Sequence, residues 1–203
     1  MEKNNKYIKS KLEIPVIYGD NKEIEEKVNK QIKGDIMDYY NNSLKEAESF
    51  QEDFETDNTN FSADVSYYVK KNTDKVISLV LYFYKYSGGA HGYYEYVPYN
   101  INMRNGEVIN LKDLFKNDAD YKNILNGEIK NQVDKLEKEQ SAEGIYDFKS
   151  INDNQKFYIQ NDNIVIYFDL YEIAPYAAGV PEFTINIKKI KNNIKDNYII
   201  LFK

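Results

Sequence analysis

Ile24, Val28, Ile32, Ile36, Tyr40 and Leu44 recur every four residues, and beyond Phe61 the apolar period drops to two. That change of period most constrains the fold. The first spacing lays a gently spiralling apolar stripe along one side of a long helix. Glu23, Glu25 and Glu26 fall in its first turn, where the helix dipole favours them, and the helix is expected to reach about Phe50, with Phe54 near its exit. From Phe61 to Tyr86 the alternation puts Ala63, Val65, Tyr67 and Val69 on one face and Asp64, Ser66, Tyr68 and Lys70 on the other. After a turn at Lys71–Asp74, Ile77, Leu79, Leu81 and Phe83 share one side of a second strand, with Val80, Tyr82 and Tyr84 opposite. A helix with one narrow stripe followed by an alternating hairpin predicts an α+β chain in which the helix covers one face of a sheet.

The same logic orders the rest. Residues Tyr7 to Tyr18 alternate loosely, and Pro15 argues for an edge strand. A third strand is expected from about Tyr93 to Met103, with Asn105-Gly106 a two-residue turn signal. A second helix is expected from near Asp118 or Asp120 to about Gln140, with a stripe of Tyr121, Leu125, Ile129, Gln132 or Val133, and Leu136. Gly127 inside it is expected to mark close packing. Residues 139–149 read as a connection. Phe157–Ile159 and Ile164–Phe168 flank Asn161-Asp162-Asn163 as a second hairpin, Asp169–Glu182 is an ordered loop, and Phe183–Ile187 is the last strand. The expected fold is thus antiparallel sheets covered by two long helices, its two halves packed as one module. The expected parts are 7–99, 100–190 and a tail, 191–203.

Composition removes several functions. The net charge of −6 repels polyphosphate, which argues against nucleic acid and favours a basic partner. Cysteine is absent, so disulfides, thiol catalysis and thiolate metal sites are all excluded. No apolar run is long enough to span a bilayer, and the start, Met1-Glu2-Lys3-Asn4-Asn5, has no apolar signal core. Either the chain is cytosolic or it is a mature or shortened piece; a membrane connection would need a segment absent from it.

The densest cluster of special residues is Ser87-Gly88-Gly89-Ala90-His91-Gly92-Tyr93-Tyr94, which holds the only histidine. His91 is the sole candidate for a base or an imidazole metal ligand, and no second His or any Cys joins it. A turn histidine that fixes its loop by hydrogen bonds is the simpler reading. Gly88, Gly89 and Gly92 lack the Gly-Lys-Ser/Thr signature of a phosphate cradle, so tight backbone geometry explains them better. Asp169, Glu172, Glu182 and Glu95 are the carboxylates near these motifs, but nothing in the spacing fixes the separation a glycosidase pair requires. No catalytic residue, metal site or cofactor is assigned. Twenty tyrosines and no tryptophan point instead to recognition, or to half-buried strands. Tyr171, Pro175 and Tyr176 form a rigid aromatic loop that either anchors a partner or seals the sheet.

Two stretches are familiar together. Tyr86-Ser87-Gly88-Gly89-Ala90-His91-Gly92, with Tyr99-Asn100-Ile101 and Gly106-Glu107-Val108-Ile109-Asn110-Leu111-Lys112-Asp113-Leu114-Phe115, is one. The other runs from Phe157-Tyr158-Ile159 through Tyr167-Phe168-Asp169-Leu170-Tyr171-Glu172-Ile173-Ala174-Pro175-Tyr176-Ala177-Ala178-Gly179-Val180-Pro181-Glu182-Phe183. Over about residues 7–190 the chain resembles the paired domains of unknown function outside the membrane in lysozyme-sensing sigma-V anti-sigma factors. The same pair precedes the catalytic domain of some peptidoglycan deacetylases. The resemblance implies an α+β fold on the outer face of a Gram-positive membrane. It also implies lysozyme binding that licenses proteolysis and frees a sigma factor. The chain departs from that pattern in having neither a membrane helix nor a sigma-binding segment. It therefore implies a non-catalytic extracytoplasmic recognition domain for a protein ligand such as a lysozyme-type muramidase, or alternatively a carbohydrate-binding module for peptidoglycan. The ligand-binding residues expected are Ser87, Gly88, Gly89, His91, Tyr93, Tyr94, Tyr171, Pro175 and Tyr176.

Overall fold

The computed structural model describes residues 1–54, 60–140 and 143–202. Residues 141–142 of the expected connection and the last residue of the tail lie outside that set. A six-stranded sheet has the order β1 (Glu2–Asn4), β2 (Lys9–Lys11), β3 (Ser62–Asn72), β4 (Val76–Tyr86), β5 (Tyr93–Asn102), β6 (Glu107–Val108). Helix α1 (Lys22–Phe54) separates β2 from β3 in sequence, and α2 (Tyr121–Gln140) follows β6. An antiparallel three-stranded sheet has the order β7 (Phe157–Gln160), β8 (Asn163–Tyr167), β9 (Glu182–Asn186). The chain divides into two compact units. The first comprises Met1–Tyr68, Val80–Val97 and Met103–Gly106; the second comprises Val69–Leu79, Pro98–Asn102 and Glu107–Lys203.

In the first unit α1 covers one sheet face. Tyr39 stacks on Phe83 with ring centroids 4.5 Å apart, Phe50 meets Phe61 at 5.2 Å, and Lys85 pairs with Glu46 at 2.6 Å. The apolar stripe is buried as expected from Ile24 to Tyr40, then shifts to Ser43 and Ala47 instead of Leu44. A four-residue step overshoots a helical turn by about 40°, so the stripe drifts until a three-residue step brings it back. The expected edge strand at Tyr7–Tyr18 shrinks to β2. Beyond it only Leu12 bridges Val65, and Ile17 is held by the Asn29 side chain, which accepts from its N–H at 2.7 Å and donates to its carbonyl at 2.8 Å. The expectation of purely antiparallel sheets also needs correction, because β2 runs parallel to β3. Asn105-Gly106 lies in a four-residue turn, with Gly106 at φ 69°; a Cβ added to Gly106 would lie only 3.0 Å from Ile24 Cγ2.

In the second unit α2 packs Leu125, Ile129 and Val133 into a core with Ile164, Ile166, Phe183 and Ile185 of the small sheet. Gln132 Nε2 also donates to the Thr184 carbonyl of β9 at 3.1 Å. Among the described residues one helix is long, α1 with 33 residues; α2 has 20, so the expectation of two long helices holds in part.

Gly127 corrects another expectation. A Cβ there, or at Gly34 in α1, meets nothing within 4 Å, and neither residue has positive φ. Both glycines therefore carry only the entropic cost of glycine in a helix. Alanine at either site is expected to stabilise the protein by about 1 kcal/mol, read as a rise in the urea midpoint at constant slope. A fall in midpoint at Gly127 would restore the close-packing explanation.

Candidate recognition loops

The first candidate loop joins β4 to β5 in the first unit. Gly88 takes φ 88°, a conformation that disfavours any side chain. Gly92 serves closeness instead: its Cα lies so near the Tyr84 ring that a Cβ would sit inside it. Gly89 has neither constraint, but its carbonyl accepts from the Tyr86 hydroxyl at 2.9 Å, which ties the bend to the strand end. His91 Nδ1 lies 3.0 Å from the Gly92 carbonyl. A carbonyl can only accept, so Nδ1 carries the hydrogen and the imidazole braces its own bend. Ser87, Gly88, Gly89 and His91 are exposed, Tyr93 is 44% exposed, and Tyr94 is half-buried.

The second loop follows β8 in the second unit. Ile173 and Ala174 root it in the core, and the Ile173 carbonyl accepts from Asp147 N–H at 2.7 Å. Two residues before Ile173, Tyr171 adopts φ 67°, which is uncommon for a bulky non-glycine residue, and it is 58% exposed. Pro175 precedes a single tight turn, Tyr176–Ala178, closed by hydrogen bonds from Ala178 N–H to the Pro175 carbonyl and from Gly179 N–H to the Tyr176 carbonyl, both 2.9 Å. That turn brings the Tyr176 ring to 5.7 Å from Tyr171, the two planes inclined by 35°. An exposed ring, Tyr171, with the half-buried Tyr176 beside it, is thus held in place by backbone geometry.

The neighbouring carboxylates have structural partners. Asp169 pairs with Lys156 at 2.7 Å, Glu172 accepts from the Asp169 N–H at 2.8 Å, and Glu182 accepts from the Tyr158 hydroxyl at 3.0 Å. Among the described residues no group of three or more His, Asp or Glu side chains is placed to hold a metal ion. The sequence marked both loops, with Tyr93 and Tyr94 at the start of β5, as candidate ligand-binding positions, but not Tyr68 of β3, Tyr82 of β4 or Tyr96 of β5. Tyr82 sits 5.2 Å from Tyr94 and 5.7 Å from Tyr96, with Tyr68 edge-on at 6.5 Å. The signal was the alternation itself, which had already put Tyr68 on one side of its strand and Tyr82 and Tyr84 on one side of the next.

A mixed six-stranded sheet under one long helix, together with a helix-covered three-stranded sheet, defines the class. The same fold occurs in a DUF3298-family protein of Bacteroides fragilis, with a TM-score of 0.72 at 20% identity over 95% of this chain and 86% of that one. A DUF3298-family protein of Pseudomonas aeruginosa gives 0.56 at 21% identity over 68% and 63%. Residues 112–188 match the family described as Protein of unknown function (DUF3298), and residues 1–94 match that described as Deacetylase PdaC. Both domain matches thus occur together in this one chain. Among its relatives is the peptidoglycan-N-acetylmuramic acid deacetylase PdaC of Bacillus subtilis, 30% identical over 145 residues, which is 67% of this chain and 30% of that protein. Another is the anti-sigma-V factor RsiV of Bacillus subtilis, 39% identical over 100 residues, 45% of this chain and 35% of that protein. The chain therefore spans about a third of the length of each of these curated relatives. Among the described residues no helix is long and apolar enough to cross a membrane.

Proposed function

We propose that this chain is a non-catalytic extracytoplasmic recognition domain that binds a basic protein ligand, a lysozyme-type muramidase being the foremost candidate. The observation that carries the reading is the Tyr171–Tyr176 pair. A tyrosine held at positive φ and more than half exposed, with a second ring beside it, costs conformational energy that packing does not require. Rings already ordered before contact lose little entropy on binding, which is the property of an interface anchor. The Gly88–Gly92 bend supplies a second braced and exposed loop, and the charge of −6 steers a cationic protein toward the chain. Relatedness to an anti-sigma-V factor supports the protein-ligand reading, and relatedness to a peptidoglycan deacetylase is consistent with work at the cell envelope.

Titration calorimetry with lysozyme tests this. Binding is expected at low salt and is expected to weaken at moderate salt through a slower association rate. Absence of heat at both salt concentrations would remove lysozyme as the ligand. Co-sedimentation of the isolated chain with insoluble peptidoglycan, without added protein, is the result that would favour the carbohydrate-binding alternative.

A further inference from the structure

In the first unit, on the sheet face opposite α1, lies a depression of about 300 Å³ lined by Lys11, Glu13, Asp64, Ser66, Tyr82 and Tyr84. Alternation explains its make-up. Ala63, Val65, Leu81 and Phe83 are buried, which leaves Asp64 and Ser66 of β3 beside Tyr82 and Tyr84 of β4 on the other face. The short parallel pairing of β2 with β3 brings in Lys11 and Glu13, whose backbones are pinned by Asp64 and by the Val65 carbonyl: Lys11 N–H donates to Asp64 Oδ1 at 2.7 Å and Glu13 N–H to Val65 at 2.8 Å. Lys11 forms an ion pair with Glu13 at 2.9 Å, and Glu2 sits opposite it in the β1–β2 register. Glu13, by hydrogen bond and by charge, holds the Lys11 ammonium above its ordinary range, and Glu2 and Asp64 add to this. Three carboxylates against one ammonium leave the rim negative.

The rings continue this surface without forming a flat platform. The planes of Tyr82 and Tyr94 are inclined by 33°, those of Tyr94 and Tyr96 by 44°, those of Tyr82 and Tyr96 by 59°, and Tyr68 stands at 76° to Tyr82. An extended glycan stacks best on coplanar rings. Inclined ring faces beside carboxylates instead suit a compact planar cation, which gains from the ring quadrupoles and from charge-assisted hydrogen bonds together. A cavity of this size is at the small end for ligand sites and fits a side chain rather than a whole ligand.

We propose that this depression receives an arginine side chain of a basic protein partner, its guanidinium set against Tyr82 and Tyr84 and hydrogen-bonded by Glu13 and Asp64. The proposal rests on the protein-ligand reading for the origin of the arginine and goes beyond it in naming the pocket and the chemistry.

The test is NMR of the full chain with labelled tyrosine rings, titrated with ethylguanidinium, with the neutral isostere ethylurea, and with chitotriose. Saturable movement of the Tyr82 and Tyr84 resonances by ethylguanidinium alone is the expected result. Tyr82→Leu, and separately the pair Glu13→Gln with Asp64→Asn, are each expected to weaken it roughly three- to tenfold. Asparagine at position 64 can still accept the Lys11 N–H, so the second variant should fold normally, and retained ring dispersion would verify that. No ring movement, equal movement by ethylurea, movement by chitotriose instead, or unchanged affinity in the double variant would each overturn the proposal. Lysozyme calorimetry on the same variants separates the two ideas. Lysozyme binding that survives both variants overturns the pocket and leaves the protein-ligand reading standing. Ring movement by ethylguanidinium in a chain that ignores lysozyme upholds the pocket's chemistry and removes that partner.

Discussion

Replacing Asn100 with alanine is expected to cost about 2–4 kcal/mol, the largest loss from any single polar truncation in the second unit. Asn100 is 2% exposed and Ser78 is fully buried. The Ser78 hydroxyl donates to Asn100 Oδ1 at 2.7 Å, and Asn100 Nδ2 donates to the Phe157 carbonyl at 2.9 Å. The Ile159 N–H donates to Ser78 Oγ at 2.9 Å and to Asn100 Oδ1 at 3.2 Å. These four bonds join β4 and β5 to β7 through side chains where no ladder pairs them. Truncation at 100 removes the donor to the Phe157 carbonyl and the acceptor of the Ser78 hydroxyl hydrogen at once, at a place screened from bulk solvent, while Ser78 Oγ still accepts from Ile159. Ser78→Ala is milder, about 1 kcal/mol, because Ile159 N–H keeps its bond to Asn100. The double variant should cost less than the sum, since both changes dismantle one network. Urea unfolding decides it: an Asn100→Ala midpoint close to that of the parent would mean the network is not worth what its burial implies.

Tyr171→Gly should separate folding from recognition. Glycine accepts φ 67° without strain, which offsets its greater freedom in the unfolded chain, so stability is expected to change by less than about 1 kcal/mol. If the ring is an interface anchor, its loss should weaken lysozyme binding by about 2 kcal/mol or more, roughly thirtyfold at the least. Tyr171→Ala should lose the same affinity and be less stable than the glycine variant, because it keeps the strained backbone. Calorimetry with thermal unfolding reads both quantities. Parental affinity in the glycine variant would dismiss this loop as an anchor, whatever the stability did.

The contrast between these two residues shows how legible the chain was. Tyr171 stood out in sequence because it lies near Pro175, Tyr176 and Gly179, residues whose backbone preferences act over a few positions. Asn100 carried no such mark. It is one asparagine in a strand, and its importance depends on Ser78, 22 residues before it, and Phe157, 57 residues after. The same holds for Tyr82 and Tyr84: their side of the strand was evident, but their carboxylate neighbours come in part from the segment after β2, which reaches β3 across the whole of α1.

What the sequence determined by itself was whatever depends on near neighbours. The helix stripe, the alternating strands, the braced glycine-histidine bend and the proline-tyrosine loop all follow from steric and hydrophobic preferences acting over about two to four residues. Tertiary structure alone decided the parallel pairing of β2 with β3, the step of the stripe to Ser43 and Ala47, the Ser78–Asn100 network and the tyrosine-carboxylate depression. Each depends on groups far apart in the chain, and no local period encodes which distant groups will meet, because that is settled by the packing of whole elements against one another.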